Sequence, residues 1–239
     1  MAVEGGYHAG VNGRLAHRAR SLGVALATAL VIVSVAILPF LTPPWIAFEQ
    51  GRAQSAAWTG YTDAQLREAT DAIVVDLVLG PPDFDVVVAG APVLTDRERS
   101  HMRDVRSVFL GLWALTALAL VVLAIAAYRA RADRSGWFRA VSRGAAGLGI
   151  AVVIVGAIAA VAFAPLFELF HRVFFAGGSY TFDPTTERLV QLFPFAFWQE
   201  TTIAVGIVIV ILAALTWWAA GRRADRAPLR QSRRSPAAT

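Results

Sequence analysis

Two of the four histidines in the 239-residue chain stand at the edges of long apolar runs. His101 lies in "SHMRDVRSVF", just before one run, and His171 lies in "LFHRVFF", just after another. An imidazole titrates near neutral pH, so it can take a proton from an amine or hydroxyl and return one to a leaving alkoxide. Asp104 follows His101 by three residues, which puts both on one face of a helix and lets the carboxylate orient the ring. Two imidazoles and a carboxylate can also hold zinc or iron. Neither histidine lies in an HExxH arrangement, however, and no metal or cofactor is assigned. Nucleophilic hydrolysis has less support: there is no G-x-S-x-G elbow and no H-x-x-x-x-D acyltransferase motif. Cysteine is absent, which excludes disulfides, thiolate metal sites and a thioester intermediate. With no protein nucleophile evident, direct transfer between two groups of the substrate is the natural reaction. His8 and His17 fall in the N-terminal segment and read as surface groups.

The elements that must position these residues follow from composition. Apolar residues make up 56% of the chain and charged residues only 16%, against about a quarter charged in soluble domains. The apolar residues cluster into four runs, 21–41, 105–128, 144–167 and 201–220, each long enough to cross a bilayer as a helix. The first exceeds the 7–15-residue core of a signal peptide and reads as a retained span. All 22 basic residues are arginine. Fourteen of them fall in three short segments: the stretch before the first run, the 2–3 loop and the tail. Positive charge marks the cytoplasmic side, so both termini and the 2–3 loop face inward. The expected organisation is a basic cytoplasmic N-terminus (1–20), a four-helix membrane domain (21–220) and a basic cytoplasmic tail (221–239). The tail arginines lack interleaved aromatics and read as a topology and phospholipid-headgroup signal, not a nucleic-acid arm.

Two loops are then extracytoplasmic, 42–104 and 168–200, and both read as folded. Thr62 and Gln65 have capping-box spacing ahead of Leu66, Ala69, Ile73 and Leu77, an amphipathic helix. "FDVVVAGAPVL" reads as strand and glycine turn, and "SYTF" and "RLVQLF" around "DPTTE" as strand, turn and strand. Thr95 and Glu98 form a second capping box that starts the second span's helix before the membrane. The fold expected is therefore an all-α polytopic membrane protein with a small mixed α/β extracytoplasmic cap. A short 2–3 loop makes the second and third spans antiparallel neighbours, which brings His101 and His171 to similar depth.

The strings "YTDAQL", "LVLG" and "LTDRERSHMRDV", with "FHRVFFAGGSYTFDPTTERLVQLFPFAFW" later, resemble a family of four-span bacterial membrane proteins. Some Gram-positive members of that family are lipoprotein intramolecular transacylases (Lit). They move an acyl chain from the diacylglyceryl group of a lipoprotein's N-terminal cysteine to its α-amine. The resemblance implies His101 and His171 as a catalytic pair, with Asp104 as the motif aspartate. Gly178, Ser179, Asp183, Pro184 and Pro194 match the second signature, and Tyr180 and Phe195 depart from it. Ser179, Tyr180 and Arg188 are candidates for oxyanion or headgroup contact. The expected partners are a diacylated lipoprotein or membrane lipid substrate and membrane phospholipid, at the outer face of the bacterial plasma membrane. The alternatives are another lipid acyltransferase or esterase using the same pair, and a non-enzymatic membrane subunit.

Overall fold

The computed structural model describes the backbone of residues 4–132, 134–175 and 179–232, with side chains from 15 to 226. Four long helices dominate: α1 (Glu4–Ile37), α5 (Asp96–Arg129), α6 (Ser135–Phe174) and α8 (Phe195–Ser232). Each is long and apolar enough to cross a membrane. Their apolar side chains are largely exposed, among them Leu118 and Val121 on α5, Val153 and Val155 on α6 and Ile207 and Ile211 on α8. Exposed apolar surface of that extent needs lipid around it. The chain is a multi-pass membrane protein, and its four helices extend beyond the four apolar runs.

Between α1 and α5 lie a 3₁₀ turn (Leu38–Leu41), α2 (Pro43–Arg52), α3 (Ser55–Thr59), α4 (Asp63–Val78) and a two-stranded hairpin. The hairpin pairs β1 (Val87–Val88) with β2 (Ala91–Pro92), Val87 opposite Pro92 and Val88 opposite Ala91. Ala89 and Gly90 carry φ of 52° and 80°, the left-handed pair that a two-residue hairpin turn requires. A further short helix, α7 (Arg188–Leu192), precedes α8.

The strand, turn and strand expected between Ser179 and Phe193 are not what forms. Residues 179–187 are turns and irregular chain, and "RLVQL" is helical. The reason is tertiary. Leu189, Leu192 and Phe193 recur at helical spacing and are all buried, and the buried Leu189 N–H donates to the Glu98 carboxylate at 2.7 Å. A carboxylate supplied at the first turn from another element favours a helix over an edge strand with unpaired amides.

The chain divides into two compact units. The first comprises Met1–Val35, Ala114–Val153 and Val208–Thr239. Its helices pack through small residues: a Cβ on Gly144 would lie 2.3 Å from the Ala25 carbonyl oxygen and 2.6 Å from its Cα. Ser34 and Thr116 share a hydroxyl hydrogen bond of 2.6 Å, and Ser142 Oγ donates to the Trp217 carbonyl at 3.2 Å. Close backbone approach with hydroxyl bonds is how helices associate where lipid removes the hydrophobic drive.

The second unit, Ala36–Trp113 and Ile154–Ile207, has a conventional apolar core that includes Ile46, Leu66, Ile73, Phe84, Val93, Met102, Leu192 and Phe197. Both expected capping boxes form. Thr62 and Gln65 cap α4 reciprocally. Thr95 N–H donates to Glu98 Oε2 at 2.7 Å, and Glu98 N–H donates to Thr95 Oγ1 at 3.3 Å. Gln50 Nε2 donates to Thr70 Oγ1 and to the Leu192 carbonyl, both at 3.0 Å. That amide fastens α2 to α4 and α7.

Candidate functional site

His101 lies one and a half turns into α5, and its position is set by the Thr95–Glu98 box that starts the helix. Only 6% of the residue is exposed, and its ring packs edge-on against Phe175 at 4.8 Å and Phe182 at 5.4 Å between centroids. Its Nδ1 is buried without a hydrogen-bond partner, an uncommon state for a polar atom that costs stability. His171 occupies the last turn of α6 and is half-buried. Ala162 leaves helical geometry at φ −140°, ψ 43°, three residues before Pro165, whose ring and missing N–H disturb the preceding turn. The helix segment carrying His171 is thereby re-aimed.

The two imidazole centroids are 6.2 Å apart with planes 20° from parallel. His171 Nδ1 lies 2.7 Å from the Phe167 carbonyl; with the proton on Nδ1, Nε2 keeps a free lone pair. Phe167, Phe170 and Phe175 surround the ring at 4.2, 5.4 and 5.5 Å. Tyr180 stands 5.1 Å from it on another side and donates its hydroxyl to Glu168 Oε1 at 2.9 Å. Burial, then the Glu168 carboxylate, holds the Tyr180 phenol above its ordinary pKa, so it remains a donor.

The remaining residues singled out in the sequence fall as follows. Asp104 is exposed and, among the described residues, makes no hydrogen bond to His101. It lines an open groove of about 390 Å³ together with Ser107, Val108, Phe174 and Phe175. Ser179 Oγ is buried without a partner. Arg188 is committed elsewhere: its Nη1 donates to the Thr59 carbonyl and to Gln191 Oε1, both at 2.7 Å, with the guanidinium over Tyr61. Asp183 folds its own turn, accepting from Thr185 N–H and Oγ1 at 2.9 and 2.7 Å, and those bonds lower its pKa. Pro184 accepts at its carbonyl from Gln191 Nε2 at 2.9 Å, and Pro194 sits between α7 and α8. Gly178 lies outside the described residues. Among the described residues no three His, Asp or Glu side chains converge in a way that could hold a metal ion.

Sequence reasoning missed the residues that bring the 179–187 segment to the histidines. Arg97 binds both Glu187 oxygens at 2.9 and 2.8 Å, donates to the Thr181 carbonyl at 2.6 Å and covers Phe182 at 4.9 Å. The pair is ninety positions apart in sequence, so no local signal announces it. Glu98 was legible as a cap, but its second oxygen, on Leu189 N–H, was not. Together Arg97 and Glu98 set Phe182 beside His101.

The comparisons with known proteins agree with this architecture. A family model described as lipoprotein intramolecular transacylase Lit matches residues 21–198. No curated protein matches the sequence. The solved structure of the membrane-integral lipoprotein intramolecular transacylase Lit from Bacillus cereus is similar over 93% of this chain and 100% of that one, with a TM-score of 0.75 and 18% identity. A histidine-to-alanine variant of the same Bacillus cereus protein aligns over 95% of this chain and 100% of its own, with a TM-score of 0.73 and 16% identity. With the family model covering most of its length, the chain belongs to the family of the lipoprotein intramolecular transacylase Lit.

Proposed function

We propose that the enzyme moves an acyl chain from the diacylglyceryl group of a lipoprotein to the α-amine of its N-terminal cysteine, using His101 and His171 as general acid and base. The observation that carries this reading is the pair of imidazoles 6.2 Å apart, one with a free ring nitrogen buried in an aromatic pocket. Family membership supports the transacylase reaction, and the absence of cysteine and of a serine elbow supports a route without an acyl-enzyme.

The substrate's α-ammonium, with a pKa near 8, loses one proton to solvent at little cost. The neutral amine attacks the sn-2 ester carbonyl of the same molecule. As the C–N bond forms, the second proton leaves nitrogen for His171 Nε2, whose lone pair is left free by the Nδ1 contact with Phe167. As the C–O bond breaks, the proton taken up by His171 is relayed through the buried, neutral His101 to the departing glycerol oxygen, leaving an N-acylated lyso-lipoprotein and both imidazoles neutral. General acid–base catalysis of this kind contributes about 10²–10⁴-fold. Both reacting groups belong to one molecule, so proximity needs no covalent intermediate. The groove beside Asp104, Phe174 and Phe175 offers a polar end for the headgroup and an apolar wall for the chain. The site faces the extracytoplasmic side of the plasma membrane, in keeping with the arginine distribution.

Incubation of the purified protein with a diacylated lipopeptide, followed by tandem mass spectrometry, tests the reading. The expected product has unchanged mass, with one acyl chain relocated to the α-amine. Loss of that chain as free fatty acid would replace transfer by hydrolysis.

A further inference from the structure

A second cluster, remote in sequence from both histidines, lies in the first compact unit. Arg131, Arg134 and Arg223 line an open cavity of about 420 Å³ with Tyr128, Trp137 and Phe138. We propose that this cavity binds the phosphate of an anionic phospholipid headgroup.

A positive-inside bias accounts for arginines at helix ends but gives no reason for them to converge on a cavity. Here Arg131 lies 4.2 Å from the Tyr128 ring centroid and Arg223 lies 5.8 Å from that of Phe138. Stacking on aromatic faces restrains guanidinium groups that would otherwise wander, so less entropy is lost when an anion arrives. Among the described residues none of the three is in an ion pair, and none of the described residues that line the cavity is acidic.

The second observation is independent of charge. Trp137 Nε1, in the same lining, is buried and has no hydrogen-bond partner. An indole N–H can only donate, and a buried donor left unmade costs stability. A phosphate oxygen satisfies that donor and the guanidinium groups together. The residues around the cavity identify the source of the phosphate. Tyr128, and Ile125 one turn earlier on α5, are exposed apolar groups, as are Trp217 and Trp218 on α8. A lipid whose phosphate enters the cavity can lay its chains along those faces. Basic pockets between membrane helices recognise anionic headgroups in this way.

The test uses the full-length protein purified in mild detergent, with native mass spectrometry after titration with phosphatidylglycerol or with zwitterionic phosphatidylcholine. Phosphatidylglycerol should be retained preferentially. Trp137→Phe, which keeps the ring and removes the donor, should weaken retention by about two- to tenfold. Arg131→Gln and Arg223→Gln should each weaken it by about fivefold. A circular-dichroism melt on each variant separates lost binding from lost fold. Displacement of the lipid by excess inorganic phosphate would show that phosphate alone suffices, and resistance to displacement that the chains contribute; both support the site. Equal retention of the two lipids, or phosphatidylglycerol binding unchanged in folded Trp137→Phe and both arginine variants, would overturn it.

Discussion

In the unit built from Met1–Val35, Ala114–Val153 and Val208–Thr239, helices meet through Gly144, Ala25, Ser34 and Thr116. In the unit built from Ala36–Trp113 and Ile154–Ile207, contact depends on buried Glu98, Gln50 and Glu49 alongside an apolar core. The first arrangement needs only close backbones, because lipid surrounds it. The second buries polar groups, each costly unless bonded, and gains positional control over loops that have no helix ladder of their own. The histidine pair belongs to the second. There the buried scaffold sets Phe182 beside His101, and the Glu168 carboxylate holds Tyr180 beside His171.

This contrast can be broken from either side. Gly144→Leu sets a side chain into the Ala25 backbone and should cost about 3 kcal/mol or more, read as a lowered Tm in detergent. A variant as stable as the parent would mean that the helices of this unit do not approach as closely as described. Glu98→Ala removes the acceptor for the buried Leu189 N–H and for the α5 cap. It should cost about 2–4 kcal/mol and lower acyl transfer along with stability, because α7, which anchors the end of the 179–187 segment, loses its tie to α5.

Glu49 gives a pH-dependent test of the same scaffold. Its carboxyl is almost fully buried, with one oxygen lacking a hydrogen-bond partner. Burial, and then the neighbouring Glu200 carboxylate, push its pKa up to about 7, against the lowering effect of Arg52. The folded state therefore holds a proton that the unfolded state releases at lower pH. Stability from this group is flat below pH 4.5, falls as pH rises from about 4.5 to about 7, and is flat above. Glu49→Gln should raise Tm at pH 8 relative to the parent and change it little at pH 4. An unchanged difference between the two pH values would contradict the assignment. The smallest effect is expected for Tyr180→Phe, which keeps the ring beside His171 and loses one hydrogen bond to Glu168. The cost in stability should stay under about 1 kcal/mol, with any loss of rate traced to the phenol by comparison of kcat with KM.

Much of this was legible before the structure. The Thr62–Gln65 and Thr95–Glu98 boxes and the glycine hairpin are local devices, and they form where their residues predict. Four apolar runs give four membrane helices because span length is a property of each segment alone. "RLVQL" was misread because its helical state depends on Glu98, ninety-one positions earlier from Leu189. Arg188 was legible as a charge but not as a tie to the Thr59 carbonyl. Asp104 shares a helix with His101, yet helical spacing does not by itself aim a short carboxylate at a ring, and it turns toward the groove instead.

The central claim is that His101 and His171 move the protons of acyl transfer. Its most direct test is the rate of acyl migration on a diacylated lipopeptide for His101→Ala and His171→Ala, each shown by circular dichroism to unfold cooperatively. Each substitution should lower the rate by about 10²-fold or more, with the double variant no worse than the weaker single one. Full migration in either folded variant would contradict the account.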